Sequence, residues 1–344
     1  MSMKLHLRAG AALLAAVVVA ACGGSATPTN TGSASGNHPN LSGKTIRVVY
    51  NGTPSIATVV ETHAEQLLRN WGADVQVTYG GDAKVVYGAM LTDQADVMEF
   101  SPQGGITGIN SGIPLRAFAV TGPRMDYAFI SKPSIKQLKD LKGAKIGVLD
   151  TVGLNGVQES LVLKAAGLTD KDVTSIQTGG QGSRVAALLS GRIDATMVGF
   201  VNYLTLQKQG YNLLYSYTKE QPKLIDGVFW AKDSWLKSHN TEAVAINQAL
   251  LEANRFFNDT KNKQAFVDEA VALVKGTAAS DASQMYDIYK QNDFFQPNYV
   301  VSPDVFQFNQ DLYFQYKSID KEVPVAQMVD AKPSQDALDK EGKV

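Results

Sequence analysis

The 344-residue chain is 44% hydrophobic and 19% charged, with a formal net charge of -1. That is a globular composition, and it gives no electrostatic basis for binding nucleic acid or for a polybasic membrane contact. A single cysteine, Cys22, excludes a disulfide framework, and the four dispersed histidines (His6, His38, His63, His239) suggest neither a metal site nor a cofactor.

The amino terminus carries Lys4 and Arg8, then an apolar run over 11–21 that ends Val19-Ala20-Ala21-Cys22. A basic start, a short apolar core and small residues at the end read as an export signal. The run is too short for a strong spanning helix. A cysteine directly after the small pair resembles a bacterial lipobox. The resemblance implies cleavage after residue 21 and a lipid on the Cys22 thiol. An ordinary signal peptide with an incidental cysteine is the alternative; the position of the one thiol favours lipidation. Residues 22–43 are mostly Gly, Ser, Thr, Ala, Asn and Pro, which bury too little apolar surface to offset ordering, so a flexible tether is expected. The body would then hang from the outer face of a membrane, in a periplasm or at a cell surface.

From residue 45 the pattern alternates. Strands are expected over 45–50, 75–79, 95–100 and 115–120, rich in β-branched and apolar residues. Between the first two, Ile56, Val59, Val60, His63, Ala64, Leu67, Leu68 and Trp71 follow a helical spacing that Gly72 ends. Asp82 is positioned to cap a helix carrying Val85, Val86, Ala89 and Met90. A second unit follows Gly122, with strands over 127–131, 145–149, 173–177 and 193–199. Ser134 is expected to cap a short helix ending at Lys142-Gly143. Longer helices are expected from Val157 to Gly167 and over 183–190. Past Trp235 helical stripes fall at 243–257, 265–274, 282–289 and 304–316. Strands alternating with helices imply parallel pairing and an α/β fold.

One stretch repeats in kind. Residues 85–97 and 183–195 each read as a short amphipathic helix, a tight turn and a strand entered through an aspartate, Asp96 or Asp194. Polar loops are expected next, at Ser101-Pro102-Gln103 and Val201-Asn202-Tyr203. Two such lobes would set two groups of strand-end loops face to face, where open parallel sheets and domain clefts bind ligands. Chance recurrence of a common helix-turn-strand unit is the plainer alternative.

Asp140-Leu141-Lys142-Gly143-Ala144-Lys145-Ile146-Gly147-Val148 and Ala186-Ala187-Leu188-Leu189-Ser190-Gly191-Arg192-Ile193-Asp194-Ala195 resemble two segments of the NMT1/THI5-like, sulfonate/nitrate/taurine-type substrate-binding proteins of ABC transporters. The resemblance extends over residues 44–257. It implies a type II periplasmic-binding-protein fold, two α/β lobes joined by two hinge strands. The first lobe would hold 44–122 and 228–344, the second 123–227, with crossings near 121–126 and 215–228. It also implies a monomer that captures a small solute by closing its cleft and presents it to an ABC permease.

Candidate ligand residues follow from strand-end position. Asn51, Thr53 and Ser55 precede a helix whose free N–H groups suit an anion, although such residues also serve simple turns. Thr151, Gly153 and Asn155 occupy the corresponding loop of the second lobe, where the family uses hydroxyl and main-chain donors. Ser101 and Gln103 lie beyond another strand. Asn202 and Tyr203 stand where the family has pocket residues, and Tyr203 could equally pack in a core. Arg124, at the first crossing, suits an acidic head group or a salt bridge between lobes; Arg184 is a weaker relative of it. Trp230 suits stacking on a ligand or, as is commoner, a core. Gly179-Gly180-Gln181-Gly182 does not complete a dinucleotide-binding pattern, because Val185 takes the last glycine's place.

The implied function is a lipid-anchored importer component for a sulfonate, nitrate, carboxylate or pyrimidine-like solute. The alternatives are a ligand sensor for a membrane signalling partner and a THI5-like pyrimidine-synthesis enzyme. The enzyme is disfavoured because that chemistry is associated with a cysteine-rich stretch and this body has no cysteine. No Gly-x-Ser-x-Gly elbow supports a hydrolase either.

Overall fold

The computed structural model describes residues 38–344; the expected signal, most of the tether and Cys22 lie outside them. Two mixed five-stranded sheets organise the chain. The first begins with β1 (Thr45–Tyr50), α1 (Val59–Asn70), β2 (Asp74–Tyr79), α2 (Ala83–Leu91), β3 (Val97–Phe100), α3 (Pro102–Asn110) and β4 (Leu115–Val120). The second is built from β5 (Tyr127–Ser131), β6 (Lys145–Val148), α4 (Leu154–Ala166), β7 (Thr174–Gln177), α5 (Gln181–Leu189), β8 (Ala195–Gly199), α6 (Phe200–Gln207) and β9 (Asn212–Ser216). After the short α7 (Tyr217–Glu220), β10 (Val228–Lys232) rejoins the first sheet. The remainder is helical: α8 (Asp233–Ser238), α9 (Asn240–Asn258), α10 (Lys263–Leu273), α11 (Ala279–Gln291), α12 (Pro303–Gln315), α13 (Val325–Met328) and α14 (Lys332–Glu341). None of the described helices is long and apolar enough to cross a membrane.

The strand orders are β2-β1-β3-β10-β4 and β7-β6-β8-β5-β9. Each sheet has three parallel strands, then one antiparallel strand, β10 or β5, between the parallel set and the edge. The inner strands are buried on both faces and read as nearly continuous apolar runs, whereas the edge strands β2 and β7 are more polar and largely exposed. On β1, Ile46, Val48 and Tyr50 pack with α1 and α9, while Val49 points the other way toward Val86 and Met98, as the two-residue strand period requires.

The repeated helix-turn-strand stretch is structural. Asp96 accepts the Arg47 N–H of β1 at 2.9 Å, and Asp194 accepts the Lys145 N–H of β6 at 2.8 Å. Each aspartate also ties down a cation, Arg47 at 2.5 Å and Lys132 at 2.5 Å. Strand entry is thus fixed in the same way in both lobes.

The chain passes between sheets at 121–126 and 217–227, and the two passages bond to each other. The Thr121 and Gly122 N–H groups donate to Gly227 O at 3.0 and 3.1 Å, and Asp226 N–H donates to Gly122 O at 2.7 Å. Gly227 is glycine because a Cβ there would meet the Thr121 hydroxyl and the Glu99 carboxylate.

Three local expectations are corrected. Ser101-Pro102-Gln103 is not a free loop: Ser101 is the N-cap of α3, its Oγ accepting Gly104 N–H at 3.2 Å, with Pro102 in the first turn where its missing N–H costs nothing. Asn202 and Tyr203 lie inside α6, not in a loop. Ser134 caps nothing; a single 3-10 turn, Leu138–Leu141, has Gln137 at its N-cap and Asp140 bonding back to it.

Candidate functional site

A cavity of about 940 Å³ lies between the sheets, with the paired crossings in its wall. Nine of the candidate residues line it: Asn51, Thr53, Ser55, Ser101, Gln103, Arg124, Gly153, Asn155 and Asn202. They come from both lobes and from the first crossing. Strand-end loops and helix starts converge here because parallel strands in each sheet deliver their carboxyl ends to the same side.

Several of these side chains are already occupied. Asn155 accepts Leu149 N–H at 3.0 Å and donates to Gln158 Oε1 at 2.8 Å, which locks the start of α4. Gln103 donates to Ser318 O at 3.1 Å. Arg124 donates to Pro222 O and reaches Asp293 at 3.2 Å, the salt-partner alternative. Arg184 also lines the cavity, is 3% exposed, and donates to Gly179 O at 3.0 Å and Met197 O at 3.3 Å. Burial lowers its pKa.

Three candidates are not cavity residues. Trp230 is fully buried, donates its indole N–H to Phe100 O at 3.2 Å and meets Phe306 edge-on; a methyl group at Gly105 would collide with its ring. Tyr203 is buried against Phe200 in the α6 core. Thr151 is exposed and outside the cavity lining. Its neighbour Asp150 serves the loop instead, accepting Gly153 N–H at the start of α4.

The residues that sequence reasoning passed over are acids. Glu61 on α1, Glu99 on β3, Asp126 in the first crossing and Asp226 in the second all line the cavity. Burial pushes the Glu61 carboxyl up to about 8, reinforced by Glu65 and Asp226. Burial takes Asp126 to about 8, with Asp226 adding to the rise and the Tyr289 hydroxyl opposing it. Burial holds Glu99 well above the usual range, with Glu61 and Asp226 adding repulsion, and lifts Asp226 to about 6. Glu61 had a sequence signal: an acid on the apolar face of a helix, directly after Val59 and Val60. The other three stand at strand ends or crossings, where a carboxylate reads as solvated.

Residues 42–260 match the family described as NMT1/THI5 like. Among solved structures, the chain is similar to the ligand-binding component of an ABC-type import system from Staphylococcus aureus, with zinc bound: TM-score 0.70 and 13% identity over 86% of this chain and 99% of that one. It is similar to the periplasmic aliphatic sulphonate binding protein of Escherichia coli, with TM-score 0.67 and 16% identity over 83% and 92% of the two chains. The periplasmic nitrate-binding protein of Synechocystis gives 0.67 and 12%, over 86% and 88%. A sequence comparison with curated proteins finds no match. At these identities the structural likeness concerns the periplasmic-binding-protein fold, two lobes around a cleft. The sequence match covers well over half of the chain, and the chain belongs to the NMT1/THI5-like family.

Proposed function

We propose that this protein is the solute-binding component of an ABC importer. It would act as a monomer, tethered through a lipid on Cys22 to the extracytoplasmic face of a membrane, and would bind its solute without transforming it. The observation that carries the reading is the cavity of about 940 Å³ walled by both lobes and both crossings. A solute touching both walls binds the closed form better than the open one and shifts the population toward it. A permease that recognises the closed form then receives only loaded protein. Tethering keeps the receptor at high effective concentration beside that permease. The similar proteins of E. coli and Synechocystis, described as sulphonate- and nitrate-binding, support the reading.

The test is a thermal-shift screen of the purified protein against sulfonates, carboxylates, nitrate, pyrimidines, amino acids and amines. A ligand that binds only the folded state raises the melting temperature. Failure of every class would sink the solute-binding reading.

A further inference from the structure

The four cavity carboxylates have no cation of their own. Among the described residues, no lysine, arginine or histidine lies within 4.0 Å of Glu61, Glu99, Asp126 or Asp226. Tyr289 gives them a hydrogen bond, to Asp126 Oδ2 at 2.7 Å. Glu61 Oε2 and Asp126 Oδ1 are buried and make no hydrogen bond, and neither does Thr121 Oγ1 beside them in the cavity wall. Glu61 is 5% exposed and Asp126 6%. Buried polar groups ordinarily have partners, and an unpaired buried acid is costly. The residues that carry these oxygens line a space large enough for a small molecule.

Several of the groups an anion would need are taken, although the start of α5 at Gly180 carries no side-chain cap. Asp82 caps the start of α2, accepting Lys84 and Val85 N–H at 2.8 and 3.1 Å. Ser101 caps α3, Asp150 the start of α4, and Gln181 accepts Gly199 N–H ahead of α6. Arg124 and Arg184 are bonded to backbone carbonyls. The cavity instead offers aromatic rings, Phe100, Tyr127, Tyr289, Phe294 and Phe295, whose faces attract cations.

A bare metal ion does not suit this arrangement. Hard cations need several oxygens converging on one point. Among the described residues, the one group of three or more such ligands tight enough for an ion is His38, Glu252 and Glu341, and none of these lines the cavity. Carboxylates spread along a wall match N–H groups spread over a molecule.

Resting on the solute-binding reading above, we propose that the cleft selects an organic cation, an amine or amidinium, whose nitrogens are held by Glu61, Glu99, Asp126 and Asp226 while its carbon frame lies against Phe100, Phe294 and Phe295.

Titration calorimetry of the purified protein tests this with 1,4-diaminobutane, benzamidine and a panel of related amines and amidines. Ethanesulfonate, nitrate, uracil and zinc chloride alone serve as competing classes. A cation from the panel should bind, and Glu61→Gln and Asp226→Asn should each weaken it at least tenfold while melting no lower than the parent. Binding of ethanesulfonate, nitrate or uracil with no response to any cation would overturn the cation inference and leave the solute-binding reading standing. Zinc alone binding in a Glu61-dependent way, with no amine or amidine bound, would also overturn it. Failure of all organic probes would overturn both readings.

Discussion

Tyr289 on α11 donates its hydroxyl to Asp126 Oδ2 at 2.7 Å, so a C-terminal helix is bonded to the first passage between the lobes. Asp126 then holds one satisfied and one orphaned oxygen, and the orphan belongs to a cavity residue. Any change in the relative position of the lobes passes through this residue's neighbours. The bond therefore couples the helical C-terminal region to the first passage between the sheets.

Tyr289→Phe keeps the ring packing against Phe266, Phe294 and Phe295 and removes only the hydroxyl. A lost hydrogen bond that leaves a buried acceptor unpaired costs about 1–3 kcal/mol. The loss should be larger above pH 8 than below it, because the bond is stronger to the ionised carboxylate and Asp126 titrates near 8. Urea midpoints at pH 6 and pH 9 measure the difference; equal losses would contradict it.

Stability without ligand should fall as pH rises. An acid whose folded pKa is raised binds its proton more tightly when folded. Its contribution is fully present below the unfolded value and is lost as pH climbs through the folded one. For Glu61 the window runs from 4.5 to about 8. Glu61→Gln removes this penalty, so its unfolding free energy should exceed the parent's at pH 8.5 by on the order of a few kcal/mol, with a higher melting temperature, and match it closely at pH 4.5. Calorimetric scans at both pH values check this.

Cation binding should have the opposite sign. The carboxylates must be ionised to pair with an amine, so affinity should rise from pH 6 toward pH 8, across the values of Asp226, Asp126 and Glu61, and flatten above. Glu65, Tyr50 and Thr121 around Glu61, and Tyr127 and Tyr289 around Asp126, are the groups facing them. Protons should be released on binding, read as a dependence of the apparent enthalpy on the buffer's ionisation enthalpy. Buffer-independent heats at pH 7 would count against it.

In the second-lobe loop, Thr151→Ala should leave both solute affinity and melting temperature unchanged, because Thr151 is exposed outside the cavity. Asp150→Ala removes the acceptor for Gly153 N–H and should cost about 1 kcal/mol of stability. A loss of affinity in Thr151→Ala alone would restore Thr151 to the site.

Cys22→Ala tests the proposed anchor. The exported protein should move from the detergent phase to the aqueous phase on Triton X-114 partition, with its solute affinity intact. Unchanged partition would remove the lipid from the picture.

Much of the frame was legible in the residues. β1 and β4 were bounded to the residue, Asp82 was read correctly as a cap, and the echo between 85–97 and 183–195 marked corresponding units of the two sheets. These are local patterns: apolar alternation, capping chemistry and a repeated segment act within about a dozen residues. The misread places were helix starts directly after strands. Ser101-Pro102 and Phe200 begin α3 and α6 with no intervening loop, so a polar strand end looked like a turn.

The sequence by itself determined the α/β alternation, the family and the candidate anchor at Cys22. It also placed nine cavity-lining residues at the ends of strands or at the first crossing. Only the tertiary structure decided the electrostatic character of the cleft. Glu61, Glu99, Asp126 and Asp226 are separated along the chain by tens to more than a hundred residues, and nothing local marks them as neighbours. Their raised pKa values come from burial, with repulsion from neighbouring acids adding to it at Glu61, Glu99 and Asp126, and both exist only once two lobes and two crossings enclose one space. The same enclosure removed Trp230 and Tyr203 from the site, since whether an aromatic ring faces a ligand or a core depends on what packs behind it.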